Sequence, residues 1–152
     1  MRKITLLIFS LVLSSNLWGQ DATSSNFTFN HLAISVKDVN LSAGFYKKVL
    51  KLQEIENRAK LDGVRWFSMG EGKELHLISI VKEPVVLNKA IHIAFTTSNF
   101  DAFIVTLNNM SIPYSDWPGA PQKINIRADG IKQVFFQDID GYWIEVNSIG
   151  QK

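Results

Sequence analysis

From residue 29 to 36 the chain alternates: Phe29, His31, Ala33 and Ser35 fall on one side, Leu32, Ile34 and Val36 on the other. That is the period of a half-buried strand. Asp38 or Asn40 is placed to cap a helix over 41–50. Phe45, Val49 and Leu52 recur there at helical spacing, and Lys47, Lys48 and Lys51 gather where the helix dipole favours cations. Strands are expected over 53–59 and 64–69, turned by Asp62-Gly63. Residues 70–72 turn again, and 74–81 read as a fourth strand.

After a linker over 83–89 the order starts afresh. A strand is expected over 91–97, then a helix from Phe100 to about Met110 capped by Asn99 or Ser98. A short edge strand over 112–117 leads to Pro118-Gly119-Ala120-Pro121, where two prolines and a glycine exclude a ladder. Residues 123–127 form a further candidate strand. Strands over 131–137 and 142–148 are joined by Asp138-Ile139-Asp140-Gly141, a hairpin signal. The pattern is βαβββ written twice. His31-Leu32-Ala33-Ile34 matches His92-Ile93-Ala94-Phe95, and Leu75-His76-Leu77 matches Ile144-Glu145-Val146. The fold class expected is α+β, with modules 27–82 and 89–150 forming one open cleft.

The start of the chain has a different character. Arg2 and Lys3 precede an apolar run over 4–13, then Ser14, Ser15, Asn16 and Gly19, the layout of a secretory signal peptide over 1–20. A run that short does not span a bilayer. Export, to a periplasm or medium, is the expectation, with no membrane partner for the mature form. The 16 Lys+Arg and 14 Asp+Glu give +2. Arg2 and Lys3 would leave with the signal, so the mature count is 16 − 2 = 14 basic against 14 acidic. That balance removes the case for nucleic acid as a partner. There is no cysteine, hence no disulfide and no thiol for a lipid anchor.

The three histidines, His31, His76 and His92, all fall in expected strands. The repeat pairs His31 with His92 and His76 with Glu145. Pseudo-two-fold symmetry then directs four ligands from four strands at one divalent ion: Zn, Ni, Co, Mn or Fe. Glu74, two residues before His76 and on the same face, is a candidate partner of that histidine or a substrate base. Trp143 and Asn147 flank Glu145 on its own face. Arg65 and Arg127 are the candidates for holding an anion. Trp66, Trp117 and Trp143 keep open an aromatic-lined groove that binds a small molecule.

Asn30-His31-Leu32-Ala33-Ile34-Ser35-Val36-Lys37-Asp38 with Phe45-Tyr46 and Val49-Leu50, His92-Ile93-Ala94-Phe95, and Gln137-Asp138-Ile139-Asp140-Gly141-Tyr142-Trp143-Ile144-Glu145 together resemble the vicinal oxygen chelate proteins. These are the glyoxalase, bleomycin-resistance and dioxygenase family. The likeness runs from about Phe29 to Ser148. It implies paired βαβββ modules, usually a homodimer, metal ligands at His31, His92 and Glu145, and a small-molecule substrate. The position of His76 is typically Glu in the glyoxalase I branch. The chemistry implied is a metal-dependent lyase or isomerase, with Glu145 moving the proton and Glu74 in reserve. The alternatives are ring-cleaving dioxygenation and the sequestration of an antibiotic or metabolite without turnover.

Overall fold

A computed structural model describes residues 27–149; the signal segment expected over 1–20 lies outside them. The elements run β1 (His31–Ser35), α1 (Val39–Val49), β2 (Gln53–Ile55), β3 (Val64–Gly70), β4 (Lys73–Ile78), β5 (His92–Thr96), α2 (Phe100–Asn109), β6 (Tyr114–Ser115), β7 (Asn125–Ile126), β8 (Lys132–Gln137) and β9 (Trp143–Asn147). One sheet is ordered β1-β4-β3-β2. The other is ordered β5-β9-β8-β6, with β7 also pairing β8. In each half the first strand lies parallel to the last, and the remaining pairs are antiparallel. The repeat seen in the sequence is thus a repeat of topology, with β7 as an addition in the second half. The two sheets do not close into a barrel.

The caps resolve as Asp38 and Asn99. Asp38 accepts from the backbone N–H groups of Asn40 and Leu41, and Asn99 from that of Ala102. Each side chain satisfies donors that a helix start leaves open. The buried face of α1 is Ser42, Ala43, Tyr46 and Val49. This face is turned from the expected Phe45–Val49–Leu52 stripe, and Phe45 packs only partly buried against the core. The turn follows from two polar contacts to the second half: Ser42 Oγ donates to Asp140 Oδ2 at 2.6 Å, and Tyr46 Oη to Asp138 Oδ2 at 2.8 Å.

Several strands are shorter than alternation suggests. β2 ends at Ile55 because Asn57 organises a turn: its amide donates to the carbonyls of Leu61 and Val64, and its oxygen accepts from the Ala59 N–H. β4 ends at Ile78 rather than Val81, and only Asn125–Ile126 of the 123–127 candidate pairs. At Gly63 (φ +74°) an added Cβ would stand 3.0 Å from Ser79 Oγ, so the Asp62-Gly63 turn needs glycine for conformation and for space.

Each sheet has two unlike faces. Ile34, Phe67, Leu75 and Leu77 in the first, and Val134, Phe136, Ile144 and Val146 in the second, join α1 and α2 in one hydrophobic core. The alternate positions face the other way. In the first sheet they carry His31, Glu74, His76 and Trp66; in the second, His92, Trp143, Glu145, Asn147, Phe135 and Gln133. Among the described residues no helix is long and apolar enough to cross a membrane.

Candidate functional site

The first-half group is a column of stacked planes. The His31 and His76 rings lie 4.3 Å apart at 14°, and Trp66 covers the other side of His76 at 4.0 Å and 6°. The Arg58 guanidinium lies 4.8 Å from the Trp66 ring centre. The column follows from register, since Trp66, His76 and Ala33 are cross-strand neighbours and His31 sits one pleat along from Ala33. Trp66 Nε1 is buried without a hydrogen-bond partner.

Glu74 ties the column together. It accepts from Arg58 at 2.6 Å and from His76 Nε2 at 2.8 Å. The Arg58 hydrogen bond first, then that of His76, holds its carboxyl below the usual range. A carboxylate so stabilised is a poor base. Glu74 is placed to orient His76.

In the second half, His92 Nε2 stands 3.4 Å from Glu145 Oε2, and His92 Nδ1 bonds the Lys89 carbonyl at 3.0 Å. Glu145 is buried, and its Oε1 accepts from Gln133 Nε2 and from Asn147 Nδ2, each at 2.8 Å. Asn147 therefore plays the flanking part foreseen for it. Trp143 lies beside His92 in register, with the Lys89 ammonium 4.9 Å from its ring centre. Trp117 and Phe135 meet His92 with centroids 6.2 and 5.7 Å away. Burial pushes the Lys89 ammonium below the usual lysine range, with Asp116 partly restoring it.

One regularity runs through both groups. An imidazole nitrogen facing an oxygen that only accepts must carry the hydrogen. His31 Nδ1 faces Asn30 Oδ1 at 2.7 Å, His76 Nε2 faces Glu74, and His92 Nδ1 faces the Lys89 carbonyl. In the neutral state this leaves the lone pair on Nε2 of His31 and Nδ1 of His76, whereas His92 faces acceptors on both sides, with the shorter contact at Nδ1. Glu145 is likewise anchored through Oε1. Histidines that ligate metals are commonly oriented by outer partners in this way.

The placement is nonetheless two pairs rather than one set. Among the described residues, no three His, Asp or Glu side chains are grouped to hold one ion. His92 and Glu145 fit an ion between them: donors about 2.0–2.1 Å from a tetrahedral zinc stand about 3.4 Å apart, the separation observed. A positive charge between them, whether an ion or a proton carried on Nε2, satisfies both atoms. His31 and His76 have suitable donors, but an imidazole binds an ion in its own plane. Two nearly parallel stacked rings, with centroids 4.3 Å apart, cannot both contain a nearby ion in plane. One ring must turn for both to ligate.

Both arginines proposed for anions already pair with carboxylates of this chain. Arg65 forks onto both oxygens of Glu54 at 2.6 Å and onto Asn40 at 3.0 Å, and Arg127 pairs with Asp129 at 2.7 Å. The most voluminous groove described, about 710 Å³, does not touch the histidines. It lies between α1, Met110, Ile112 and the Ile139–Asp140 turn. The residues missed from sequence were Asn30, Arg58, Lys89 and Gln133. Gln133 carried a signal, since it is a polar residue on the alternating face opposite Val134. Lys89 carried none.

A family profile described as Glyoxalase/Bleomycin resistance protein/Dioxygenase superfamily matches residues 28–146. A protein of Arabidopsis thaliana named Glyoxylase I 4 is 27% identical over 127 residues, covering 78% of this chain and 69% of that protein. Among solved structures, Oxidase ChaP-H2 superposes with a TM-score of 0.68 at 20% identity, over 81% of this chain and 94% of the other. Lactoylglutathione lyase from Agrobacterium tumefaciens does so with a TM-score of 0.61 at 19% identity, over 82% and 94%.

Proposed function

Because the chain belongs to the Glyoxalase/Bleomycin resistance protein/Dioxygenase superfamily, we propose that it is a metal-dependent lyase or isomerase acting on a small substrate with two neighbouring oxygen atoms. The observation that carries this reading is the His92–Glu145 pair, whose Nε2 and Oε2 face each other at 3.4 Å. His92 and Glu145 would hold the divalent ion, and His31 and His76 would supply further donors if one of the stacked rings turned. A divalent ion in such a site supplies Lewis-acid polarisation of substrate oxygens. The chain supplies the rest. Glu145, held at Oε1 by Gln133 and Asn147, would move a proton between neighbouring substrate carbons through Oε2 when that oxygen is released from the ion. Glu74, stabilised as an anion, keeps His76 oriented. We also propose that the working form is an exported homodimer, on the basic-then-apolar pattern over 2–13 and the habit of the superfamily.

The test is metal content. The chain, purified without chelators from a metal-replete culture, is expected to carry about one divalent ion per chain, lost in His92→Ala. Zinc, nickel, cobalt or manganese supports the lyase or isomerase reading, whereas iron moves it to dioxygenation. Folded protein that takes up no ion on reconstitution overturns it.

A second reading has its own observation. The Arg58–Trp66–His76–His31 column offers planar surfaces of the kind that sequester a flat organic ligand without turnover. Full retention of a planar ligand by chelator-treated protein would favour it.

A further inference from the structure

Lys89, in the stretch joining the two halves, acts on His92 from both of its ends. Its carbonyl accepts from His92 Nδ1 at 3.0 Å. Its ammonium donates to Ser115 Oγ at 3.0 Å, to the Asp116 carbonyl at 2.5 Å and to the Trp117 carbonyl at 3.1 Å. Those three acceptors use all of its N–H groups. The same ammonium lies 4.9 Å from the ring centres of Phe135 and Trp143 and 5.8 Å from that of Trp117. The rim it grips is itself braced, because Asp116 Oδ1 accepts from the backbone N–H groups of Gly119 and Ala120. The side chain staples the linker to this rim and so fixes where its own carbonyl stands.

That position decides a competition. A neutral imidazole has one N–H. On Nδ1 it bonds Lys89; on Nε2 it would point at Glu145 Oε2, 3.4 Å away. Only the first tautomer leaves Nε2 bare for an ion. We propose that Lys89 is a positioning residue for His92: its stapled carbonyl holds the Nδ1–H tautomer and presents Nε2 bare towards Glu145. The inference rests on the metal reading for its use, but the tautomer itself does not depend on metal.

The two are separated by experiment. Histidine ¹⁵N spectra of the metal-free chain, recorded at about pH 9 where an ordinary imidazole is neutral, report the tautomer. Wild type is expected to show His92 mainly as Nδ1–H. Lys89→Met keeps the apolar stem and removes the staple, so it is expected to shift His92 towards Nε2–H. It is also expected to weaken Co²⁺ binding about 10-fold or more, the usual scale for losing an outer partner. Lys89→Arg restores part of both, and Lys82→Met, an exposed linker lysine, changes neither. Should Lys89→Met not fold, Ser115→Ala removes a single acceptor of the ammonium, and a smaller shift in the same direction is expected. Nε2–H in the wild type, or an unchanged tautomer in folded Lys89→Met, overturns the inference. Wild type that shows Nδ1–H yet binds no Co²⁺ upholds the tautomer assignment and overturns the metal reading alone.

Discussion

Tyr46 on α1 and Asp138 after β8 share a buried hydrogen bond of 2.8 Å that crosses from one half of the chain to the other. Around it, Asp138 Oδ1 accepts from the backbone N–H groups of Asp140 and Tyr142, Asp140 accepts from Ser42 Oγ and the Lys37 N–H, and Tyr142 Oη accepts from the Ser35 N–H. The hairpin of the second half is thereby a latch on the first. Burial, with the nearby Asp138, pushes the Tyr46 phenol above its ordinary range, so it serves as a fixed donor. Tyr46→Phe leaves a buried carboxylate oxygen one donor short and is expected to cost about 1–3 kcal/mol. Urea unfolding measures it, and a loss under about 0.3 kcal/mol would show that the bond contributes nothing net.

The same carboxyl gives stability a pH slope. Burial raises Asp138 above its ordinary 3.8, with the hydrogen bonds from Tyr46, Tyr142 and Asp140 opposing. An acid that holds its proton more tightly folded than unfolded contributes fully below its unfolded pKa and loses that contribution as pH rises through its folded value. Stability from this group therefore declines upward from about pH 4, and Asp138→Asn is expected to flatten that part of the curve. Thermal midpoints between about pH 4 and pH 7 decide it; an unchanged slope in the variant counts against the assignment.

Glu54 works in the opposite sense. The forked Arg65 holds its carboxyl below the ordinary 4.5. Its contribution is present above the unfolded pKa and is lost as pH falls through the folded one. The pair is partly exposed, so the expected worth is below about 1 kcal/mol. Arg65→Lys keeps the charge but not the fork, and is expected to lower stability at neutral pH by part of that amount and to shrink the loss on acidification. A loss of several kcal/mol would mean that Arg65 does more than hold Glu54.

Gln133 anchors Glu145 through one hydrogen bond while accepting another from Asn125 at 2.8 Å. Gln133→Leu keeps the size and removes the donor. Divalent-ion affinity is expected to fall about 10-fold, with the fold intact by circular dichroism. Unchanged affinity would mean that Asn147 alone suffices to orient Glu145.

Trp66 stacked on His76 provides an optical reporter. Co²⁺ bound through His76 is expected to quench Trp66, and either Trp66→Phe or His76→Ala should remove that part of the quenching while leaving the part from Trp117 and Trp143 beside His92. Equal quenching in His76→Ala would place the ion away from the first-half column.

Much of the fold was legible because alternation and capping are local. His31 opposite Leu32, and Glu145 between Ile144 and Val146, already say which side chains share a face, and Asp38 and Asn99 stand where open helix donors need an oxygen. The strand ends over 56–59 and 79–81 were not legible. Asn57 ends β2 through acceptors at Leu61 and Val64, and no period encodes such contacts.

The sequence by itself determined the repeated βαβββ order, the family, and the facing of His31, His76, His92 and Glu145 away from the core. Each follows from a period of two or 3.6, or from residues matched in line. Only the tertiary structure decided how those side chains meet: His31 lies flat on His76, Glu74 is spent on Arg58, Arg65 is spent on Glu54, and Lys89 holds His92. The physical reason is that ring planes, tautomers and free lone pairs depend on partners brought close in space, some of them from strands and loops far away along the chain.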